Sequence, residues 1–279
     1  MSAILALVSS LLWGIADFLG GNLTKKYKAV AVTAASQSFG LLIGILVIIF
    51  TSSWQAPTFD WAGYVIPGVL AGMMGFIGLV AFYAGLASGR MGVVSPISAL
   101  SVFIPLTIAI ISGEQPTTLQ FIGMAIALVG GFCATGPELK GGSSIRPIIY
   151  AVVAAISFGG AVTFIAKGSQ VSPIMTMTTM RATTFTFAIL LFIRFRTAGG
   201  FKKRDVPILF AIGAADFFGN LFLGIATTKG LVSLAVVLGS LFPIVTSLLA
   251  FKFLQERLHR IQYLGVVLAV IGIALISLG

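Results

Sequence analysis

Charge is what this sequence has least of. Asp, Glu, Lys and Arg together make up 9% of its 279 residues, against 58% hydrophobic residues, whereas a soluble domain carries roughly a quarter charged residues. A water-soluble fold of this length would have to expose more apolar surface than solubility permits, so an integral membrane protein is expected. Cysteine is almost missing as well. The single Cys133 cannot close an intramolecular disulfide, which removes a disulfide-stapled domain and leaves a packing role in an apolar segment. Histidine occurs once, as His259, and no zinc-ligand spacing, Walker loop or dinucleotide fingerprint is present. These absences argue against an ATP-driven pump and a cofactor enzyme. Catalysis at membrane depth would need a nucleophile or metal cluster, so no enzyme, cofactor or metal is expected. Acidic residues are few, 7 against 17 basic, for a net charge of +10. In a membrane protein that excess labels the cytoplasmic side, and no nucleic-acid partner is inferred from it.

Long apolar runs fill the remaining sequence. Crossing the hydrocarbon takes about 20 apolar residues in a helix. Reading between charged or turn-forming breaks predicts ten spans, at 2–22, 30–52, 63–86, 91–112, 117–136, 146–166, 173–193, 206–227, 231–251 and 260–278. The first run lacks the basic leader region of a cleaved signal peptide and is expected to be a retained span. Connections are short, and "GPELKGGSSIR" at 136–146 is the clearest Gly/Ser-rich linker.

The chain then repeats itself. "LQFIGMAIALVGG" (119–131) lies on "IQYLGVVLAVIGI" (261–273) without a gap, and a glutamate stands at the same distance upstream of each, Glu114 and Glu256. "GVVSPISALSVFIP" (92–105) matches "GLVSLAVVLGSLFP" (230–243). Trp13-Gly14 pairs with Phe158-Gly159, and "ASQSFG" corresponds to "TMRATTF", placing Gln37 opposite Arg181. Two five-span units follow, 1–136 and 146–279, joined by a linker at 137–145. An odd number of spans forces the second unit in from the opposite side, giving an inverted repeat of the kind that builds secondary transporters. The expected fold is all-α: a polytopic membrane protein of ten helices, in two inverted five-helix repeats around a central cavity.

On these motifs the chain resembles the drug/metabolite transporter superfamily, in particular its EamA-type ten-span proteins. The features that carry the resemblance are the small-residue first span with "WG", the arginine of "MRATTF", and the closing "E…LQ/IQ…G…A…GG/GI" span in both halves. It covers essentially the whole chain. The resemblance implies a helical bundle around a substrate cavity, with transport driven by a solute or proton gradient.

Orientation is read from the loops. One side collects Lys25, Lys26, Lys28, Arg90, Lys140, Arg146, the run "RFRTAGGFKKRD" (194–205), Lys252, Arg257 and Arg260, while the other holds only Lys167 and Lys229 with both termini. The basic side is expected to be cytoplasmic and the termini outside, in the plasma membrane. The basic run itself is read as an electrostatic anchor on an anionic leaflet.

Ionisable residues within spans are costly and mark functional sites. Three stand there: Asp17, Arg181 and Asp216. Arg181 and Asp216 fall at comparable depth, roughly 12 and 15 Å from their span ends, and either pair or share a cavity. Asp17 lies nearer an end, about 8 Å, within reach of interfacial water by snorkelling. Trp13 and Asn220 share helix faces with Asp17 and Asp216, and Phe158 is the repeat equivalent of Trp13. Tyr83 faces either the cavity or the interface. Ser95 and Ser98 flank Pro96, where a hydroxyl can re-satisfy the carbonyl that proline frees. The candidate substrate-binding residues are thus Trp13, Asp17, Tyr83, Ser95, Ser98, Phe158, Arg181, Asp216 and Asn220, with Asp216 the candidate for proton coupling. Glycines at 40/44 and 68/72, continued by Gly75 and Gly78, are spaced for close helix contact. Pro105 and Pro243 predict matched kinks, and the two glutamates are expected to cap the helices that follow them.

The reading is a secondary active transporter that exports a small metabolite or drug-like solute by alternating access. The site is drawn from spans one, three, four, six, eight and nine. Expected partners are that solute and the lipid bilayer, and the protein acts as a monomer or homodimer. The alternatives are an uptake permease for sugar or another neutral solute and, in a different class, a non-transporting scaffold.

Overall fold

In the computed structural model, which describes residues 1–88, 91–134, 145–197, 199–254 and 260–279, the described residues are helical with short connections and no strand. Apolar segments fold this way because hydrocarbon offers the backbone no hydrogen-bond partner, and a helix satisfies its N–H and C=O groups internally. The helices are α1 (Ser2–Leu23), α2 (Ala29–Thr51), α3 (Val65–Ser88), α4 (Met91–Ala99), α5 (Phe103–Ile111), α6 (Thr118–Ala134), α7 (Ile145–Ser169), α8 (Pro173–Phe195), α9 (Val206–Thr228), α10 (Val232–Gly239), α11 (Phe242–Leu254) and α12 (Arg260–Leu278). Among the described residues nine helical stretches are long and apolar enough to cross a membrane, and α6 is shorter, at 17 residues. Its described turns rise about 26 Å, and the residues that follow Ala134 lie outside the described set. Residues 137–144 of the expected linker, Glu256 and His259 lie outside the described residues.

Two of the predicted spans are broken. A 3-10 turn at Leu100–Val102 separates α4 from α5, and Ser240 and Leu241 separate α10 from α11. Each break lies just before a repeat-equivalent proline, Pro105 or Pro243, that then sits in the first turn of the next helix. Proline has no N–H to give and is tolerated where the first turn leaves N–H groups unpaired anyway.

Packing follows the repeat. Helix α3 lies on α7 as α9 lies on α1, α5 meets α10 as α11 meets α4, and α2 meets α8 and α6 meets α12. Exchanging the halves maps this set of neighbours onto itself, as a two-fold relation between inverted units requires. The closing helices touch backbone to backbone. A Cβ on Gly123 would stand 2.8 Å from the Ile276 nitrogen and 2.9 Å from the Gly272 oxygen, and one on Gly130 would strike Gly265 and Ala269. The duplicated "G…A…G" residues are therefore each other's partners. Gly40, Gly44, Gly68 and Gly72 all face α8, where added methyls would meet Arg181, Thr178, Thr179 and Thr183.

The helix ends correct one expectation. Glu114 does not cap α6. Its carboxylate accepts the backbone N–H groups of Val232 (2.6 Å) and Ser233 (2.9 Å) at the start of α10, in the other half. Helix α6 is instead closed by Thr117 and Gln120, with the Thr117 N–H donating to Gln120 Oε1 (2.9 Å) and the Gln120 N–H to Thr117 Oγ1 (3.2 Å). That reciprocal pair is a capping box. Polarity is arranged for lipid: Arg181 is 0% exposed and Gln37 1%, while Phe50 is 81% exposed.

Candidate functional site

Two aromatic-glycine pairs bring the halves together. Trp13 on α1 seats against Gly219 of α9, where a Cβ would stand 2.8 Å from its ring, and Phe158 on α7 seats against Gly78 of α3 in the same way, at 2.7 Å. The glycine after each aromatic admits a broken span. A Cβ on Gly14 would meet the Phe242 carbonyl at 2.8 Å, and one on Gly159 the Ser101 carbonyl at 2.7 Å. The repeated dipeptide thus points an aromatic ring inward and lets the break in the neighbouring span approach its backbone.

Between these rings lies a slot of about 70 Å³, lined by Trp13, Asp17, Gly75, Leu79, Ser101, Phe158, Ala161, Val162, Met180, Asp216, Asn220 and Phe242. Trp13 and Phe242 meet edge to face, 6.1 Å between centroids, a favourable aromatic geometry. Both span breaks reach the slot, through Ser101 on one side and Phe242 on the other. The volume accommodates a water or two and falls well short of the roughly 300 Å³ at which small-molecule pockets begin.

Behind one wall stands a polar cluster. Arg181 on α8 pairs with Asp216 Oδ2 on α9 at 2.8 Å and donates to the Asp216 carbonyl at 3.2 Å. It also donates to Gln37 Oε1 on α2. Gln37 Nε2 donates to Asp216 Oδ2 at 2.8 Å, and Asn220 Nδ2 to Asp216 Oδ1 at 3.1 Å. Gly40 leaves room for the arginine stem. A buried charge is sustained only when paired and hydrogen-bonded, and Asp216 has one cation and two amide donors. Asp17 differs: it is buried and lines the slot, but among the described residues no cation pairs with it.

Of the residues nominated from sequence, Trp13, Asp17, Phe158, Asp216 and Asn220 meet in the slot. Asp17 therefore does not snorkel to the interface. Tyr83 is buried between α1 and α3, its hydroxyl 3.5 Å from the Ala16 carbonyl, neither cavity-facing nor interfacial. Ser95 and Ser98 are buried in α4, away from the slot. The Ser98 hydroxyl has no hydrogen-bond partner among the described residues, so it does not re-satisfy a carbonyl there. Arg181 stands behind Asp216 rather than in the lining. Sequence reasoning missed Gln37, Ser101, Met180 and Phe242. Gln37 carried a signal in its repeat position opposite Arg181, and Phe242 in its place before Pro243. Met180 adds span seven to the expected set.

At the basic ends of the helices, a latch joins two loops. The Tyr27 hydroxyl donates to Asp205 Oδ2 at 2.6 Å and accepts the Lys202 N–H at 3.3 Å, and its ring packs on Phe201, 4.7 Å between centroids. The hydrogen bond to Asp205 and partial desolvation push the Tyr27 phenol above its ordinary range.

Comparison with known proteins agrees with this architecture. The chain resembles a solved crystal structure with TM-score 0.76 at 17% identity, over 99% of this chain and 96% of that one, a likeness of fold. The uncharacterized protein MJ1333.1 of Methanocaldococcus jannaschii is 24% identical over 131 residues, which are 47% of this chain and 96% of the relative. That relative has about the length of one half of the present chain. The EamA-like transporter family matches residues 1–136 and again 145–278. Two successive matches that together cover nearly the whole chain place it: the protein belongs to the EamA-like transporter family and is a membrane transporter of small solutes.

Proposed function

We propose that the protein exports a small organic solute by alternating access, binding it in the slot between the two halves. The observation that carries this reading is the slot itself, lined from both halves and reached by both span breaks. Its 70 Å³ must widen before a solute fits, and the breaks at 100–102 and 240–241 are where the spans can bend without losing an intact helix. Inverted units that alternately open on each side of a fixed site are the transport scheme this architecture supports.

The lining favours a solute with an apolar or aromatic body and a cationic group over a sugar. Trp13, Phe158 and Phe242 supply rings, and Asp17 is a carboxylate with no cation paired to it among the described residues. A ring face beside an anion attracts a cation twice over. The sequence nominates Asp216 for coupling on its depth. Because Arg181 already compensates Asp216, this reading moves coupling to Asp17, which either a proton or the cationic solute neutralises, but not both together. Arg181, Gln37 and Asn220 hold the Asp216 wall in place. The basic loops face the cytoplasm, the termini lie outside in the plasma membrane, and flux runs outward. Because one chain supplies both halves, a monomer suffices.

Counterflow into proteoliposomes tests the proposal. Labelled aromatic amines exchange across membranes containing wild type, sugars do not, and Asp17→Asn abolishes amine exchange and its pH dependence. Exchange of sugars alone would favour the uptake permease, and no exchange of any solute in a broad panel would favour a scaffold. Should Asp216→Asn abolish the pH dependence while Asp17→Asn preserves it, coupling belongs to Asp216.

A further inference from the structure

A second and larger hollow, about 780 Å³, lies between α2 and α8 at their basic ends, and the transport reading makes no use of it. The two helices touch where Gly40 meets the Arg181 stem and Gly44 meets Thr178. Beyond that contact small residues on α2, Ala31, Ala34 and Ser38, leave a floor, and Phe185, Phe192 and Phe195 of α8 form the wall. Phe192 and Phe195 are exposed, so the hollow opens sideways, toward lipid. Lys26 and Lys28 stand at its rim. From Lys28 to Ser38 the helix rises about 15 Å, half of the roughly 30 Å hydrocarbon thickness.

Apolar depth of one leaflet beneath a cationic rim is the complement of one kind of molecule. We infer that this groove binds an anionic glycerophospholipid of the basic-side leaflet. An acyl chain lies along the alanine floor against the phenylalanines, and the phosphate meets Lys26 and Lys28. The opposite ends of the same two helices supply an internal contrast. There a hollow of about 330 Å³ is lined by Ser52, Ser53, Gln55, Pro173 and Ile174 among others, and among the described residues its lining holds no lysine or arginine. The repeat produces a hollow at both ends, and only one carries the charge that selects an anionic headgroup. Tyr27 of the loop latch also lines the groove, so a bound lipid would brace the latch from the membrane side.

Native mass spectrometry of the purified full chain, titrated with phosphatidylglycerol or phosphatidylcholine, tests the assignment. Wild type retains phosphatidylglycerol in preference to phosphatidylcholine, and the double variant Lys26→Gln/Lys28→Gln retains it about thirtyfold less, the loss of two basic groups at an anionic surface. The control variant Lys203→Gln/Arg204→Gln removes the same charge outside the groove and keeps wild-type retention. Ala34→Phe fills the floor, and lowers retention with both lysines present. Equal retention of the two lipids by wild type would overturn the inference. So would an equal loss in the control variant, since general attraction to the basic surface would then account for binding. Thermal unfolding of each variant in detergent confirms that a loss reflects the site rather than misfolding.

Discussion

At the scale of single residues, the molecule turns on how the ionisable residues within its spans, Asp17, Arg181 and Asp216, are partnered. Asp216 and Arg181 neutralise each other within one cluster, and removing one partner from such a pair typically costs about 3–5 kcal/mol, whereas replacing both with apolar groups of similar size is often nearly neutral. Arg181→Met and Asp216→Leu should each lower unfolding stability in detergent by about that amount, and the double variant should recover most of it. Simple additivity in this cycle would show that the pair is not the unit holding the wall. The sequence made these residues visible because ionisable groups are rare in hydrocarbon, and it brought Gln37 to the same place through the repeat. It gave no sign of how the charges were shared, since pairing depends on which faces α2, α8 and α9 turn to one another. The same limit hid Tyr83, whose ring fills the space above Gly20 instead of reaching the slot.

The elements are held by contacts between distant parts of the chain. Glu114 shows why capping cannot be assigned by nearness in sequence: the local helix α6 already has its capping box, and the carboxylate serves α10 at a separation of 118 residues. Glu114→Ala should therefore destabilise the join between halves by about 1 kcal/mol, the usual value of a lost cap. Amide exchange should rise at Val232 and Ser233 and stay unchanged in α6. For the latch, Tyr27 has a folded-state pKa above its unfolded value of about 10. Its contribution is therefore complete below that pH and lost as pH rises through the folded value. Tyr27→Phe should lower Tm at pH 7, and the gap from wild type should close in alkaline buffer. A gap that stays constant up to pH 12 would assign the effect to packing on Phe201. Gly130→Val forces α6 and α12 apart, and should cost about 1–3 kcal/mol or more, as overpacking does. Span existence was legible from apolar run length, and the breaks from Pro105 and Pro243.

For the whole molecule, the repeat predicts that equivalent loops lie on opposite faces. In a Cys133→Ala background, Lys25→Cys and Val171→Cys should react with an impermeant thiol reagent from opposite sides of sealed vesicles. The Lys25 position should label from the cytoplasmic side. Labelling of both from one side would sink the inverted arrangement, and labelling with the sides exchanged would reverse the orientation alone. The architecture was readable from sequence because duplication writes the same pattern twice. The slot was not, because its walls come from seven spans whose inward residues are mostly apolar and look like ordinary packing. The seam between α6 and α12 mates a surface with its own duplicate, glycine facing glycine, so it is self-complementary. A free half-length chain bearing that seam would dimerise with an upside-down twin, and the single gene keeps both orientations in fixed one-to-one supply.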